Sequence, residues 1–167
     1  MATATVTPRD VVTEYFESLA AQDLDRAVAT WKPGSIDRLY GFADLVAPAG
    51  IRDYFGGIFE AIPDFRIEVI STVAEDDRVA VRWRATGTFD GTGTFEGLAP
   101  NGRSVELEGI DLLTVDGGKI VSNEAYTNAM EFGRQVGALP PRGSSQERVM
   151  AAAFNAKTAI AKRLRRG

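Results

Sequence analysis

The chain has 167 residues, 44% hydrophobic and 25% charged, with a net charge of −4. That composition fits one soluble domain with room for a core, and it supplies no overall basic field to recruit nucleic acid. Cysteine and histidine are both absent, which excludes disulfides, thiolate nucleophiles, Ser-His-Asp triads, His-ligated metals and imidazole bases. Proton transfer near neutral pH is left to a shifted Asp, Glu, Tyr or Lys, or to bound water.

Residues 1–7 read as a leader without the basic and apolar regions of a signal peptide, and no segment is apolar enough to span a membrane, so the expected location is the cytoplasm. Pro8 suits a first helical turn, and Val11, Val12, Tyr15, Phe16 and Leu19 then recur at helical spacing. Residues 21–32 read as a second helix carrying Leu24, Ala27, Val28 and Trp31, broken by Pro33-Gly34. Residues 36–42 read as a short strand before a loop around Pro48, and residues 50–61 as a third helix with Ile51, Tyr54, Phe55, Ile58 and Phe59.

The period then changes to two. Residues 65–73, 78–89, 103–115 and 119–127 are rich in Val, Ile, Phe and Thr, with turn residues between them. Helices first and an antiparallel meander after is an α+β order. Residues 129–137 read as a short closing helix. Pro140-Pro141 reads as a linker, and Ser144 with Glu147 as a capping box opening an alanine-rich helix that runs into the basic stretch Lys162–Arg166. The division expected is a domain over 8–140 and a linker plus basic helix over 141–167.

In the strand 78–89, Val79, Val81, Trp83, Ala85, Gly87 and Phe89 share the face that should meet the helices, and Arg82, Arg84, Thr86 and Thr88 share the other. A curved sheet folded over three helices makes a cone whose mouth encloses a ligand-sized cavity. The hairpin 109–128 carries polar groups where such a cavity would lie. Asp111 is the only charge on the face of Val105, Leu107, Gly109, Leu113 and Val115, and an unbroken period of two puts Ser122, Glu124, Tyr126 and Asn128 on the face of Ile120.

On an apolar inward face the pKa of Asp111 should rise, making it a usable acid or base. The plain alternative is a structural Asp bonded to backbone or arginine. Glu124, if it meets Asp111 across the hairpin, gives a coupled pair with one proton. Alternatively a bulge turns it to solvent, or it pairs with Arg84. Tyr126 and Asn128 are candidates for orienting a carbonyl, against a core aromatic and a helix cap. Trp31, Tyr40, Trp83, Phe55, Phe59 and Phe89 are candidates for an aromatic wall, against plain core.

The segments VVTEYFESLAAQDLDRA, IRDYFGGIFEAIPDFRIEV, DRVAVRWRATGTF, GRSVELEGIDLLTVDGGKIV and FGRQVGALP cover residues 8–140. In order and spacing they resemble the SnoaL-like polyketide cyclases of the nuclear transport factor 2-like fold. The resemblance implies a cystatin-like α+β barrel with a curved mixed or antiparallel sheet. It also implies an apolar pocket for a polyketide-like substrate, no cofactor and no metal, and a homodimer or higher homo-oligomer formed through the outer sheet face. It implies ring closure of aldol type, or a related isomerisation or dehydration, with an acidic residue moving the proton; the residues themselves offer Glu124 and Asp111 for that work. No nucleic-acid or membrane partner is expected, since the chain is acidic and its terminal helix is alanine-rich.

The family often carries His-Trp-x-x-x-Asp on the last strand, where this chain reads Asn123-Glu124-Ala125-Tyr126-Thr127-Asn128. The acid thus falls on Asn128 and the tryptophan on Glu124. A frequent pocket histidine falls on Phe89. These departures leave two alternatives open: a small-molecule-binding or scaffold protein without chemistry, and an epoxide hydrolase or epoxide-opening cyclase.

Overall fold

The structure, a computed structural model, describes residues 6–165. Residues 1–5 of the expected leader, and Arg166 of the basic stretch, lie outside the described residues. Helix α1 (Pro8–Ala20) starts at a reciprocal cap: the Asp10 amide donates to Thr7 Oγ1 at 3.2 Å, and the Thr7 amide donates to Asp10 Oδ2 at 2.9 Å. Its inward stripe of Val11, Val12, Tyr15, Phe16 and Leu19 is buried.

Helix α2 is only Leu24–Ala29, shorter than the expected 21–32, and strand β1 spans Trp31–Tyr40. Trp31 therefore opens a strand rather than closing a helix. The cause is local: Pro33 cannot donate to a helix and pushes Lys32 toward extended backbone. A register irregularity between Trp31 and Ile36 absorbs the proline. Strand β2 (Ala43–Val46) forms where a loop was expected and pairs antiparallel with β1. Helix α3 (Ala49–Ala61) follows.

Four strands complete the sheet: β3 (Arg66–Glu75), β4 (Arg78–Phe89), β5 (Arg103–Asp116) and β6 (Lys119–Thr127). The spatial order is β2-β1-β6-β5-β4-β3, six strands in all, with β1 parallel to β6 and the other pairs antiparallel. The sheet is thus mixed. The β5–β6 turn uses Gly117 and Gly118 at φ 56° and 75°, the positive values a tight hairpin demands of both central residues.

The curved sheet packs its inner face on α1 and α3. One apolar cluster joins Tyr15, Leu19, Ile51, Val81, Leu113 and Ile120. A second joins Ile58, Phe89, Phe95, Val105, Phe132 and Val136. The siding of β4 and β5 expected from the alternation is the siding observed: Val79, Val81, Ala85, Phe89, Asp111 and Leu113 are buried. Outside, Glu108 accepts from Arg82 Nη2 at 2.7 Å and from Arg84 Nη2 at 2.8 Å.

Helix α4 (Ala129–Gln135) closes the mouth end, and α5 (Ser145–Leu164) follows. At α5 the Glu147 amide donates to Ser144 Oγ at 3.1 Å, but the Glu147 carboxylate accepts from Gly143 rather than from the cap residue. The expected box is therefore half formed. Among the described residues no helix is long and apolar enough to cross a membrane.

Candidate active site

The hairpin carrying the candidate residues does not keep one register. Thr114 faces Ser122, whereas Val115 faces Ile120, so Val121 is an extra residue on β6. A bulge of one residue inverts which side chains point inward beyond it. Ile120 points inward and is buried. Past Val121 the inward set becomes Asn123, Ala125 and Thr127, and the outward set Ser122, Glu124 and Tyr126.

This overturns the expectation that Glu124 meets Asp111. Glu124 pairs in register with Leu112 and lies on the outer face, where Tyr40 Oη donates to it at 3.3 Å. Tyr126 is also outside, stacked on Tyr40 with ring centroids 4.6 Å apart. Asn128 caps α4, its Oδ1 accepting from the Glu131 amide at 3.1 Å. Neither Tyr126, Asn128 nor Tyr40 borders the inner cavity.

Asp111 does point inward, where three adjacent strands place one polar cluster in an otherwise apolar interior. From β5, Asp111 Oδ1 accepts from Trp83 Nε1 at 2.7 Å, and its Oδ2 accepts from Asn123 Nδ2 at 2.8 Å. From β1, Asp37 Oδ1 accepts from the same Asn123 Nδ2 at 2.9 Å. Asp37 faces Asn123 directly in the parallel β1–β6 pair. From α1, Tyr15 Oη donates to Asp37 Oδ2 at 3.5 Å, a long contact. Asp37, Asn123 and Asp111 are 0%, 2% and 6% exposed, and the two N–H groups of the Asn123 amide bridge the two carboxyls inside the fold. The Asn123 Oδ1 has no hydrogen-bond partner among the described residues.

Burial disfavours charge, so both carboxyls are pushed up. Asp37 reaches about 7, through burial first and then the negative charge of Asp111; Asn123 and Tyr15 oppose the rise. Asp111 reaches about 6, raised by burial and held back by the Trp83 and Asn123 hydrogen bonds. The Tyr15 hydroxyl is pushed well above its ordinary value by burial, then by the charges of Asp37 and Asp111. Tyr54 is also raised, by burial first and then by Glu96 and Asp37.

Gly109 sets the position of Trp83. A Cβ there would stand 2.3 Å from Trp83 Cζ2, so only glycine lets the indole lie across β5 and reach Asp111 two residues along.

Asp37 and Asp111 form one end of a cavity with about 850 Å³ of empty space, its open mouth included. Its walls are mostly aromatic and aliphatic, among them Phe16, Phe42, Tyr54, Phe55 and Trp83. Among the described residues no lysine or arginine borders it. Of the expected wall residues, Trp83 and Phe55 line it. Trp31 and Phe89 do not, being buried in the two apolar clusters, and Phe59 packs against Phe55 and Phe65 outside the lining. Among the described residues no group of three Asp or Glu gathers as a metal site.

Sequence reasoning missed Asp37 and Asn123. Alternation in β1 puts Asp37 with Leu39 against Ile36, Arg38 and Tyr40, and nothing in that pattern names the inner side. Two signals pointed to Asn123: the histidine of the family's last-strand pattern falls on it, and a bulge in β6 moves it inward as it moves Glu124 out.

The comparisons agree with this architecture. No curated protein matches the chain. Among solved structures, AclR of Streptomyces galilaeus, a candidate hydroxylase, is 28% identical with TM-score 0.68, covering 80% of this chain and 97% of its own. A candidate SnoaL-like polyketide cyclase from Jannaschia sp. CCS1 is 21% identical with TM-score 0.71, covering 84% and 99%. IdmH of Streptomyces antibioticus, a candidate polyketide cyclase, is 24% identical with TM-score 0.65, covering 78% and 98%. The last two, at their identity, speak for the fold. The family model for SnoaL-like polyketide cyclases matches residues 9–136, most of the chain, and the chain belongs to that family.

Proposed function

We propose that this chain is a cofactor-independent enzyme that moves a proton within an uncharged, apolar, polyketide-like molecule, closing a ring by aldol chemistry or carrying out a related isomerisation or dehydration. The observation that supports it is the Asp37–Asn123–Asp111 cluster at the end of an apolar cavity. Asp111 has two short N–H donors to its ionised form, while Asp37 has one and a long hydroxyl contact. The shared proton therefore rests on Asp37, and Asp111 is the base.

In the proposed step Asp111 takes a proton from carbon beside a carbonyl. The C–H bond breaks, its electron pair becomes the enol double bond, and Asp37 gives its proton to the oxygen, with the Tyr15 hydroxyl beside Asp37. The enol carbon then attacks a second carbonyl of the same molecule, forming the C–C bond. The proton on Asp111 passes to the new alkoxide, and the first oxygen returns its proton to Asp37. A dry cavity strengthens each of these interactions. The absence of a cation among the lining residues disfavours an anionic substrate.

The test is exchange of α-protons in D₂O on an apolar aryl 1,3-diketone, followed by NMR. Catalysed exchange that Asp111→Asn removes supports the reading, and equal exchange by both proteins overturns it. A second reading, a binding protein without chemistry, is favoured by Asn128 standing where the family acid falls and serving as a helix cap. Tight binding of the diketone with no exchange would select it. The epoxide reading is the weaker alternative, since Arg82 and Arg84 lie on the outer face, paired with Glu108 and away from the cavity.

We propose also that the chain forms a homodimer or higher homo-oligomer, because the outer sheet face leaves Ile36, Val73, Ile110, Leu112 and Tyr126 exposed.

A further inference from the structure

Helix α5 buries no residue. Its start is tied to α4 by Arg134 Nη2 and Glu147 Oε1 at 3.4 Å, and Arg148 Nη1 donates to the Gly143 carbonyl at 2.8 Å. Beyond that tether it does not lie on its own domain. Yet at 100° per residue Val149, Met150, Ala153, Phe154, Ile160 and Leu164 fall on one stripe, with Arg148, Lys162 and Arg163 off it. Val149, Phe154 and Leu164 are 68%, 67% and 79% exposed. A stripe of that kind, interrupted only by Lys157, whose long stem can lie flat on apolar surface, is built to be covered.

Charge says what covers it. Residues 141–167 hold seven basic residues and one acidic, whereas residues 1–140 hold 12 basic and 22 acidic, so the two parts carry +6 and −10. Two α5 helices of this charge repel each other, while α5 and the domain of a second molecule attract. The outer sheet face of that second molecule offers the exposed Ile110, Leu112 and Tyr126 beside Glu124, while Glu108 there is already paired with Arg82 and Arg84, so apolar contact places the stripe and the net charge of the domain favours the encounter. A helix of 20 residues is about 30 Å long, enough to cross six strands spaced about 4.8 Å apart.

We infer that α5 is an exchanged arm: in a homo-oligomer, its apolar stripe lies on the outer sheet face of a second copy of this chain, with its basic residues toward that copy's acidic surface. This rests on the self-association proposed above. The same arrangement would cover two apolar surfaces that the single chain leaves open.

The test uses the full-length chain in a sedimentation-velocity concentration series, with Phe154→Asp, Ile160→Asp and the charge variant Lys157→Glu/Lys162→Glu. These positions are exposed in the single chain, so circular dichroism, and the melting temperature of protein diluted until it is dissociated, should not change. The arm predicts a dissociation constant at least about tenfold weaker in Phe154→Asp, and in the wild type at high salt. A monomeric wild type sinks both self-association and the arm. An oligomer indifferent to all three changes sinks the arm alone. Carbodiimide cross-linking of mixed ¹⁴N and ¹⁵N protein then locates the contact. Links from Lys157 or Lys162 to Glu108 or Glu124 of the other isotope support it, and links only to Glu147 of another α5, or to an unrelated acidic protein, overturn it.

Discussion

The two faces of the β5–β6 hairpin hold the same chemistry in opposite states. On the inner face, Asp111 is 6% exposed and bonded to Trp83 and Asn123. On the outer face, one residue away in the paired strand, Glu124 is half-buried and accepts a long bond from Tyr40. Both are carboxylates on facing strands, and burial pushes the pKa of Asp111 up to about 6. What makes a carboxyl useful near neutral pH is the side of the sheet it falls on, and a single extra residue, Val121, decides that side.

The largest expected effect contrasts the two carboxyls directly. Asp111→Asn should lower turnover by roughly 10²–10⁴-fold with the fold retained, while Glu124→Gln should stay within about twofold. Proton exchange on the diketone probe measures both. A Glu124→Gln enzyme as dead as Asp111→Asn would return the chemistry to the outer face.

Next in size is deletion of Val121 and Ser122 together. Removing Val121 alone straightens the strand and leaves Asn123 inward, whereas removing both sets Asn123 opposite Thr114 and Glu124 opposite Leu113, which swings Glu124 and Tyr126 inward and Asn123 out. A carboxylate then enters the apolar interior without Asn123 to bridge it, at a cost on the order of 3 kcal/mol or more. Urea unfolding followed by circular dichroism should show a midpoint fall of that size. A double-deletion variant as stable as the parent would mean that the phase of the strand beyond Ile120 does not fix the sides.

Much of this fold was legible beforehand because periodicity reports it well. The β4, β5 and β6 spans and the siding of β4 and β5 come directly from alternating Val, Ile and Leu. The bulge was not legible, because Lys119–Thr127 mixes polar and apolar residues in a way that fits either phase. Nor was the start of β1, where Pro33 reads as the end of a helix but sits inside a strand that the pattern begins only at residue 36. These two irregularities hid half of the site. Asp37 comes from the strand misjudged at its start and Asn123 from the strand that slips, so only Asp111, on the regular strand, could be named from the pattern.

The inner face should also leave its mark on stability. Asp37 has a folded pKa of about 7, raised above its unfolded value. The folded state then binds the extra proton between about pH 4 and pH 7, so stability falls as pH rises through that window and stays low above it. Asp37→Asn cannot ionise, so it should remove this loss. Expected is a gain on the order of 2 kcal/mol at pH 8 and little change at pH 4. Urea midpoints across that range would show a flatter profile for the variant. A variant whose profile falls as steeply as the parent's would mean that Asp37 stays ionised in the folded chain.

The finest distinction lies within the inner pair itself. Asp111 titrates below Asp37 because the Trp83 indole donates to it at 2.7 Å and favours its charged form. Trp83→Phe keeps the aromatic bulk and deletes that one donor. The Asp111 carboxyl should then titrate about one unit higher, level with Asp37, and the two should lose their separate identities as base and acid. Carboxyl ¹³C shifts followed from pH 4 to pH 9 measure this without any substrate. The wild type should show two steps, and Trp83→Phe two steps that approach one another, with exchange of the diketone probe reaching its maximum at higher pH. Gly109→Ala should act in the same direction by displacing the indole, whereas Tyr40→Phe on the outer face should move neither step. An unchanged Asp111 titration in Trp83→Phe would leave the ordering of the pair to burial alone.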